Sequence, residues 1–251
     1  MALKYRVVLI MLMLNFSTLF AGQIRVAMAA NVSYASKALI ETFHALHPEI
    51  SVQVILGSSG KLTAQIKHGA PFDLFMSADM QYPKRLYDDG LAVEKPVVYA
   101  KGTLALFSLK KRDYSSKIFV LQNPDIHKIA IANPKTAPYG RAAKEALKNT
   151  KLYQNLKGKF VYGESISQTV AYASTAADIG IIATSALYAP QMQAYKETIH
   201  WMVIDTSHYE PIEQGMIILK NAADKREATY FYEFMLSPKA KEILKQYGYK
   251  V

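Results

Sequence analysis

Cysteine is absent from the 251-residue chain. That excludes disulfides, thiolate metal sites and cysteine nucleophiles, and it leaves no cysteine to carry a lipid anchor. Long runs of like charge are also missing. The densest is Lys110-Lys111-Arg112, which Asp113 follows at once. Acidic residues are the scarcer sign, 20 against 30 Lys and Arg, so the formal charge is +10. A nucleic-acid footprint would need that excess gathered on one face. Here it is scattered, and no nucleic-acid partner is expected, although the diffuse positive field favours small anions. No solenoid-length repeat and no low-complexity linker occurs. After the first twenty residues no apolar run approaches the roughly 20 residues that span a bilayer as a helix.

The composition that remains is globular, 51% hydrophobic and 20% charged, and a chain of this length can bury a core without staples. Its beginning reads as an address. Lys4 and Arg6 precede an apolar run over 7–14, and residues 15–22 turn small and polar. This order predicts an export signal over 1–21, cut near Ala21 or Gly22. The expected product is a freely diffusing periplasmic monomer.

The remaining chain alternates strand and helix patterns. Strands are expected at 24–28, 52–56 and 74–76. Between them lie a helix through Ala35, Leu39, Phe43 and Leu46, ending at Pro48, and a shorter one ending at His68. A further helix, capped by Asp79, ends near Gly90. A second unit follows, with strands at 103–109, 129–132, 160–162, 179–183, 201–204 and 216–219. It carries a helix over 141–148 after a loop at 134–140, and another holding Val170 and Ala173. Helices at about 222–235 and 238–246 close the chain. The βαβαβ order predicts an α/β fold of two doubly wound, parallel-sheet lobes with a ligand cleft between them.

In such sheets ligands sit where strand ends lead into helices. Four loops qualify, at 30–33, 57–60, 138–141 and 163–167. Each enters a helix start, where unpaired N–H groups and a partial positive charge suit an anion. Their side chains are small or hydroxylic: Asn31, Ser33, Ser58, Ser59, Tyr139, Ser165 and Ser167. Gly57 and Gly60 let backbone approach a ligand closely. Neutral donors suit a fully ionised oxyanion, whereas a protonated one would ask for an acceptor. Capping alone would account for any one of these loops; four at one end of two sheets point to an anion-binding cleft.

One segment is more specific. Gly69-Ala70-Pro71-Phe72-Asp73-Leu74-Phe75-Met76-Ser77-Ala78-Asp79 resembles the Gly-Ala-Pro-x-Asp-Leu-Phe-x-Ser-Ala-Asp motif of the periplasmic molybdate-binding proteins of bacterial ABC transporters, within the type II periplasmic solute-binding family. Gly57-Ser58-Ser59-Gly60-Lys61-Leu62, the Ala132–Gly140 loop and the closing Tyr247-Gly248-Tyr249 are similar too. The resemblance runs from about Ile24 to Val251. It implies a first lobe over 22–101 plus 205–251, a second over 102–204, and hinged closure on the ligand. It implies an oxyanion site at Asn31, Ser59, Tyr139 and the main chain of Ile166, with Ala30 adding a backbone N–H. The implied ligand is molybdate or tungstate, with no cofactor and no catalysis, and the implied partner is a membrane permease. Some relatives carry a tyrosine donor in the strand after Gly180; here Ile181-Ile182-Ala183 stands there.

Rival readings are a binding protein for another tetrahedral oxyanion such as sulfate and, more distantly, a hydrolase using Ser59. Gly57-Ser58-Ser59-Gly60 lacks the Gly-x-Ser-x-Gly elbow of such a nucleophile. His44 and His47 form a possible metal pair without an identifiable third ligand. An iron site would want adjacent tyrosine and carboxylate ligands, and Tyr230-Phe231-Tyr232 reads instead as helix packing.

Overall fold

The computed structural model describes residues 22–251. The expected export signal over 1–21 lies outside them. Strand β1 (Gly22–Ala29) is followed by a single 3₁₀ turn (Ala30–Val32) and α1 (Ser33–Leu46). Ala35, Leu39 and Phe43 recur every four residues on α1 and are its buried face, whereas Leu46, the last residue of the predicted stripe, is exposed at the helix end. β2 (Ile50–Gly57), α2 (Ser59–Lys67), β3 (Leu74–Met76), α3 (Gln81–Asp88) and β4 (Val97–Gly102) complete this stretch.

The second unit comprises β5 (Leu104–Phe107), β6 (Ile129–Ala132), α4 (Pro138–Asn149), α5 (Tyr153–Leu156), β7 (Phe160–Gly163), α6 (Ile166–Ala173), β8 (Ile179–Ala183) and β9 (Trp201–Val203). The chain then returns through β10 (Ile212–Ile218) and ends in α7 (Arg226–Leu236) and α8 (Pro238–Gln246).

These elements form two lobes, each on a five-stranded sheet. Lobe I has the order β2-β1-β3-β10-β4 and lobe II the order β7-β6-β8-β5-β9. The parallel pairing expected from the βαβαβ order is present in both lobes, and each sheet adds one strand of opposite sense. β1, β2 and β3 are parallel, as are β6, β7 and β8, but β10 runs antiparallel to β3 and β4, and β5 antiparallel to β8 and β9. The cause is the passage between lobes. A single residue separates β4 from β5, and the chain returns from β9 to β10 with only a 3₁₀ turn between, so neither crossing carries the helical connection that a parallel strand needs.

β4 itself was not expected from the sequence, and β10 begins four residues before the predicted strand. The helix expected from Arg141 starts at Pro138, where a proline at the first position has no N–H to leave unpaired. The helix expected from residue 222 starts at Arg226, after a 3₁₀ turn (Lys220–Ala222).

Each lobe has its own core. In lobe I, Phe43 packs against Phe231 (ring centroids 5.0 Å apart) and Phe234 (5.5 Å), beneath Ile24, Val26 and Met28 of β1. In lobe II, Ile129 and Ile131 of β6 meet Leu104, Leu106, Ile179 and Ile181. Two such cores place the strand ends and helix starts of both lobes at their junction.

Candidate functional site

At that junction lies a small cavity of about 10 Å³, far below the roughly 300–1,000 Å³ of sites for larger ligands. The turn after β1 supplies Ala30 and Asn31, and the start of α2 supplies Ser58 and Ser59. Across from them, the start of α4 supplies Pro138 and Tyr139, and the start of α6 supplies Ile166. The five residues implied by the resemblance line this one space together with Ser58, whereas Ser33, Ser165 and Ser167 do not. No Lys or Arg is among its lining residues. Positive character there comes from helix starts, whose first N–H groups have no acceptor within their own helix.

The side chains divide by how their hydrogen bonds are used. The Ser59 hydroxyl accepts from the Ala78 N–H at 2.9 Å, which orients it and leaves its proton to donate. Ser58 precedes α2 in extended backbone, yet its hydroxyl makes no cap bond and is buried without a partner. Ser33 donates to the Ala30 carbonyl at 2.7 Å, and Ser165 caps α6 by accepting from the Gln168 N–H, so both serve the local turn. Ile166 has no polar side chain and can offer only its N–H.

Asn31 differs from the expectation of a side-chain donor. Its amide nitrogen donates to Gln214 Oε1 at 2.7 Å and to the Tyr249 hydroxyl at 2.8 Å, which uses both hydrogens. Its Oδ1 is buried without a partner. What the residue has left to donate is its backbone N–H. The Tyr139 hydroxyl accepts from Gln214 Nε2 at 3.0 Å. Burial first, then the neighbouring Tyr249, pushes the Tyr139 pKa well above the ordinary phenol value, so the group is neutral at physiological pH.

The 69–79 motif acts largely from behind the cavity. Gly69 takes φ +84, a left-handed turn that favours glycine. Asp73 accepts from the Arg25 N–H at 2.6 Å and from Lys225 Nζ at 3.0 Å, fastening β3 to β1 and to the chain entering α7. β3 then delivers Ala78, whose N–H holds Ser59.

Beside the cavity the lobes are joined directly. Asp79 pairs with Arg141, and Lys61 with Glu164. The Gly60 N–H donates to the Thr136 carbonyl at 2.9 Å. Arg141 also lies 5.1 Å over the Tyr82 ring. Burial raises the Asp79 pKa above its usual value, and Arg141, the Tyr82 N–H and Ser77 offset part of that shift.

The rival chemistries find little support in the geometry. The bonded partner of the Ser59 hydroxyl is an N–H donor, not a base. His47 stacks on Tyr230 (5.0 Å, 11°) and pairs with Glu49, and no group of three or more His, Asp or Glu placed for a metal occurs among the described residues. Gln214, Tyr99 and Ser185 went unread in the sequence, although all three are buried polar groups around Asn31. The only signal was a lone carboxamide in the apolar strand Ile212–Ile218. Tyr249 was marked only by the closing Tyr-Gly-Tyr.

Comparison with known proteins agrees with this geometry. The family described as bacterial extracellular solute-binding protein matches residues 24–250. The molybdate-binding protein ModA of Rhodobacter capsulatus is 36% identical over 231 residues, 91% of this chain and 88% of that protein. The periplasmic molybdate-binding protein of Azotobacter vinelandii, a solved structure, superposes with a TM-score of 0.84 at 33% identity, covering 91% of this chain and 99% of that one. The sulfate-binding protein SubI of Mycobacterium tuberculosis shares the fold, with a TM-score of 0.72 at 15% identity over 91% of this chain and 86% of its own.

Proposed function

The chain belongs to the bacterial extracellular solute-binding proteins, and we propose that within this family it captures molybdate between its lobes for delivery to the membrane permease of an ABC transporter. The observation that carries the reading is the convergence of helix starts and neutral hydroxyls on one small cavity with no lining cation. A tetrahedral dianion accepts from every group that faces it, and hydrogen bonds to a charged partner are the strong ones. Ala30, Asn31 and Ile166 supply backbone N–H groups, Tyr139 supplies the start of α4, and Ser59 supplies a hydroxyl. Ser58 joins them on account of its unpartnered hydroxyl. Tungstate, nearly equal in size and charge, is a ligand on the same grounds.

The rest of the reading follows from transport. Residues 1–21 direct export, and the unanchored monomer works outside the cytoplasm. The chain divides into 22–101 plus 205–251 and 102–204. Closure of these parts over the ion presents the surface that the permease meets. The protein performs no turnover and holds no cofactor.

Calorimetric titration of the dialysed protein with molybdate, tungstate and sulfate tests this. One-to-one binding of the first two, with weak or no sulfate binding, is expected. Sulfate bound as tightly as molybdate would replace the reading with broader oxyanion uptake. No heat from any of the three would leave the four loops as helix caps.

A further inference from the structure

Behind the cavity lies a buried polar cluster centred on Gln214. This residue is fully buried on β10, where the register with β4 shifts. Its neighbours Met216, Ile217 and Ile218 are apolar and buried, so a carboxamide is costly there unless its bonds are made. They are made across both lobes. Nε2 donates to the Tyr139 hydroxyl of lobe II at 3.0 Å. Oε1 accepts from Asn31 Nδ2 at 2.7 Å and from the Tyr99 hydroxyl at 3.3 Å, both of lobe I. The Asn31 carbonyl in turn accepts from Tyr249 at 2.9 Å and from Ser185 of lobe II at 3.1 Å.

The two ends of Gln214 therefore do different work. The acceptor end holds the turn at Asn31, which forms one wall of the cavity. The donor end holds Tyr139 in the first turn of α4, which forms the opposite wall. We propose that Gln214 is a positioning residue for the oxyanion, fixing the separation of the two walls by joining Asn31 to Tyr139. The inference rests on the oxyanion reading above. The titratable groups around Gln214 are Tyr99, Tyr139 and Tyr249, all held neutral by burial, with Tyr249 pushed up to about 12. Adjacent Glu213 is paired with Lys101 at 2.8 Å.

The test is molybdate titration of the wild type, Gln214→Glu and Gln214→Met, each checked for folding by thermal melting. A neutral carboxyl copies the carboxamide, donating to Tyr139 and accepting from Asn31. A carboxylate cannot donate, and it adds a buried negative charge near the anion. Burial can raise a carboxyl pKa by up to about 3–5 units from its ordinary value of about 4.3, so the variant should change form between about pH 7 and 9. Wild-type affinity should be flat over that range. Gln214→Glu should bind about tenfold to hundredfold more weakly at the alkaline end and recover at the acid end. Its alkaline binding should take up a proton, read by titrating in two buffers of different ionisation enthalpy. Gln214→Met should be weak throughout, and its effect should shrink about threefold or more in a Tyr139→Phe background.

Wild-type affinity at both ends without proton uptake, or an equal loss at every pH, would overturn the proposal. So would additivity of the Gln214→Met and Tyr139→Phe effects, which decides the matter if Gln214→Glu does not fold. A wild type that binds no oxyanion would overturn the functional reading itself, and this inference with it.

Discussion

The Tyr139 hydroxyl occupies the space into which any side chain at Gly102 would project, and Gln214 Nε2 stands just beyond it. Gly102 ends β4 at the crossing between lobes. Its missing side chain is what lets a residue of lobe II reach the carboxamide of lobe I.

Gly102→Ala should therefore push Tyr139 off Gln214. Overpacking of this kind costs about 1–3 kcal/mol. The variant is expected to unfold at lower denaturant concentration and to bind molybdate more weakly. Unchanged binding at reduced stability would show that the crossing contributes to packing alone.

Ser59→Ala removes the hydroxyl that Ala78 orients. Loss of one hydrogen bond to a charged ligand costs about 1.5–3 kcal/mol. The dissociation constant should rise about tenfold or more in calorimetric titration, while the helix start keeps its N–H groups. An unaltered constant would remove Ser59 from the site.

Arg141→Ala deprives Asp79 of its partner across the lobes and uncovers the Tyr82 ring. Both charges are partly exposed, so the loss should be modest, about threefold to tenfold in affinity. It should appear mainly as faster release in stopped-flow measurement, because the pair acts only when the lobes are together. A change confined to the association rate would mean that Arg141 steers the anion instead.

Asp178 sets a pH dependence. Burial pushes its pKa up, but the N–H groups of Lys128 and His127, at 2.9 and 2.8 Å, outweigh that and hold it below the usual value. A carboxylate with a lowered folded pKa contributes stability above its unfolded pKa of about 3.9, and the contribution is lost as pH falls through the folded value. Asp178→Asn should thus melt below the wild type at neutral pH, with the gap closing under about pH 4. A gap constant with pH would assign the effect to packing.

The sequence by itself determined much of this protein. Four-residue periodicity at Ala35, Leu39 and Phe43 fixed the buried face of α1, because a helix brings such positions onto one side. Small polar residues before apolar periodic segments marked the helix starts, and Gly57 through Ser59 was legible as a close-approach turn. Among the cavity-lining residues, Asn31, Ser59 and Tyr139 could be named because each sits at such a start, whereas Ala30 and Ile166 were implied only by the resemblance to a known family.

Tertiary structure alone decided the rest. β4 and the antiparallel course of β10 depend on where the chain crosses between lobes, which no local pattern records. Asn31 and Gln214 stand 183 residues apart, and only the fold shows that the asparagine amide is spent on the glutamine. A side chain with donor and acceptor ends declares its type in sequence. Which neighbour takes which end is settled by packing, since burial obliges each polar atom to find whatever partner the fold brings near.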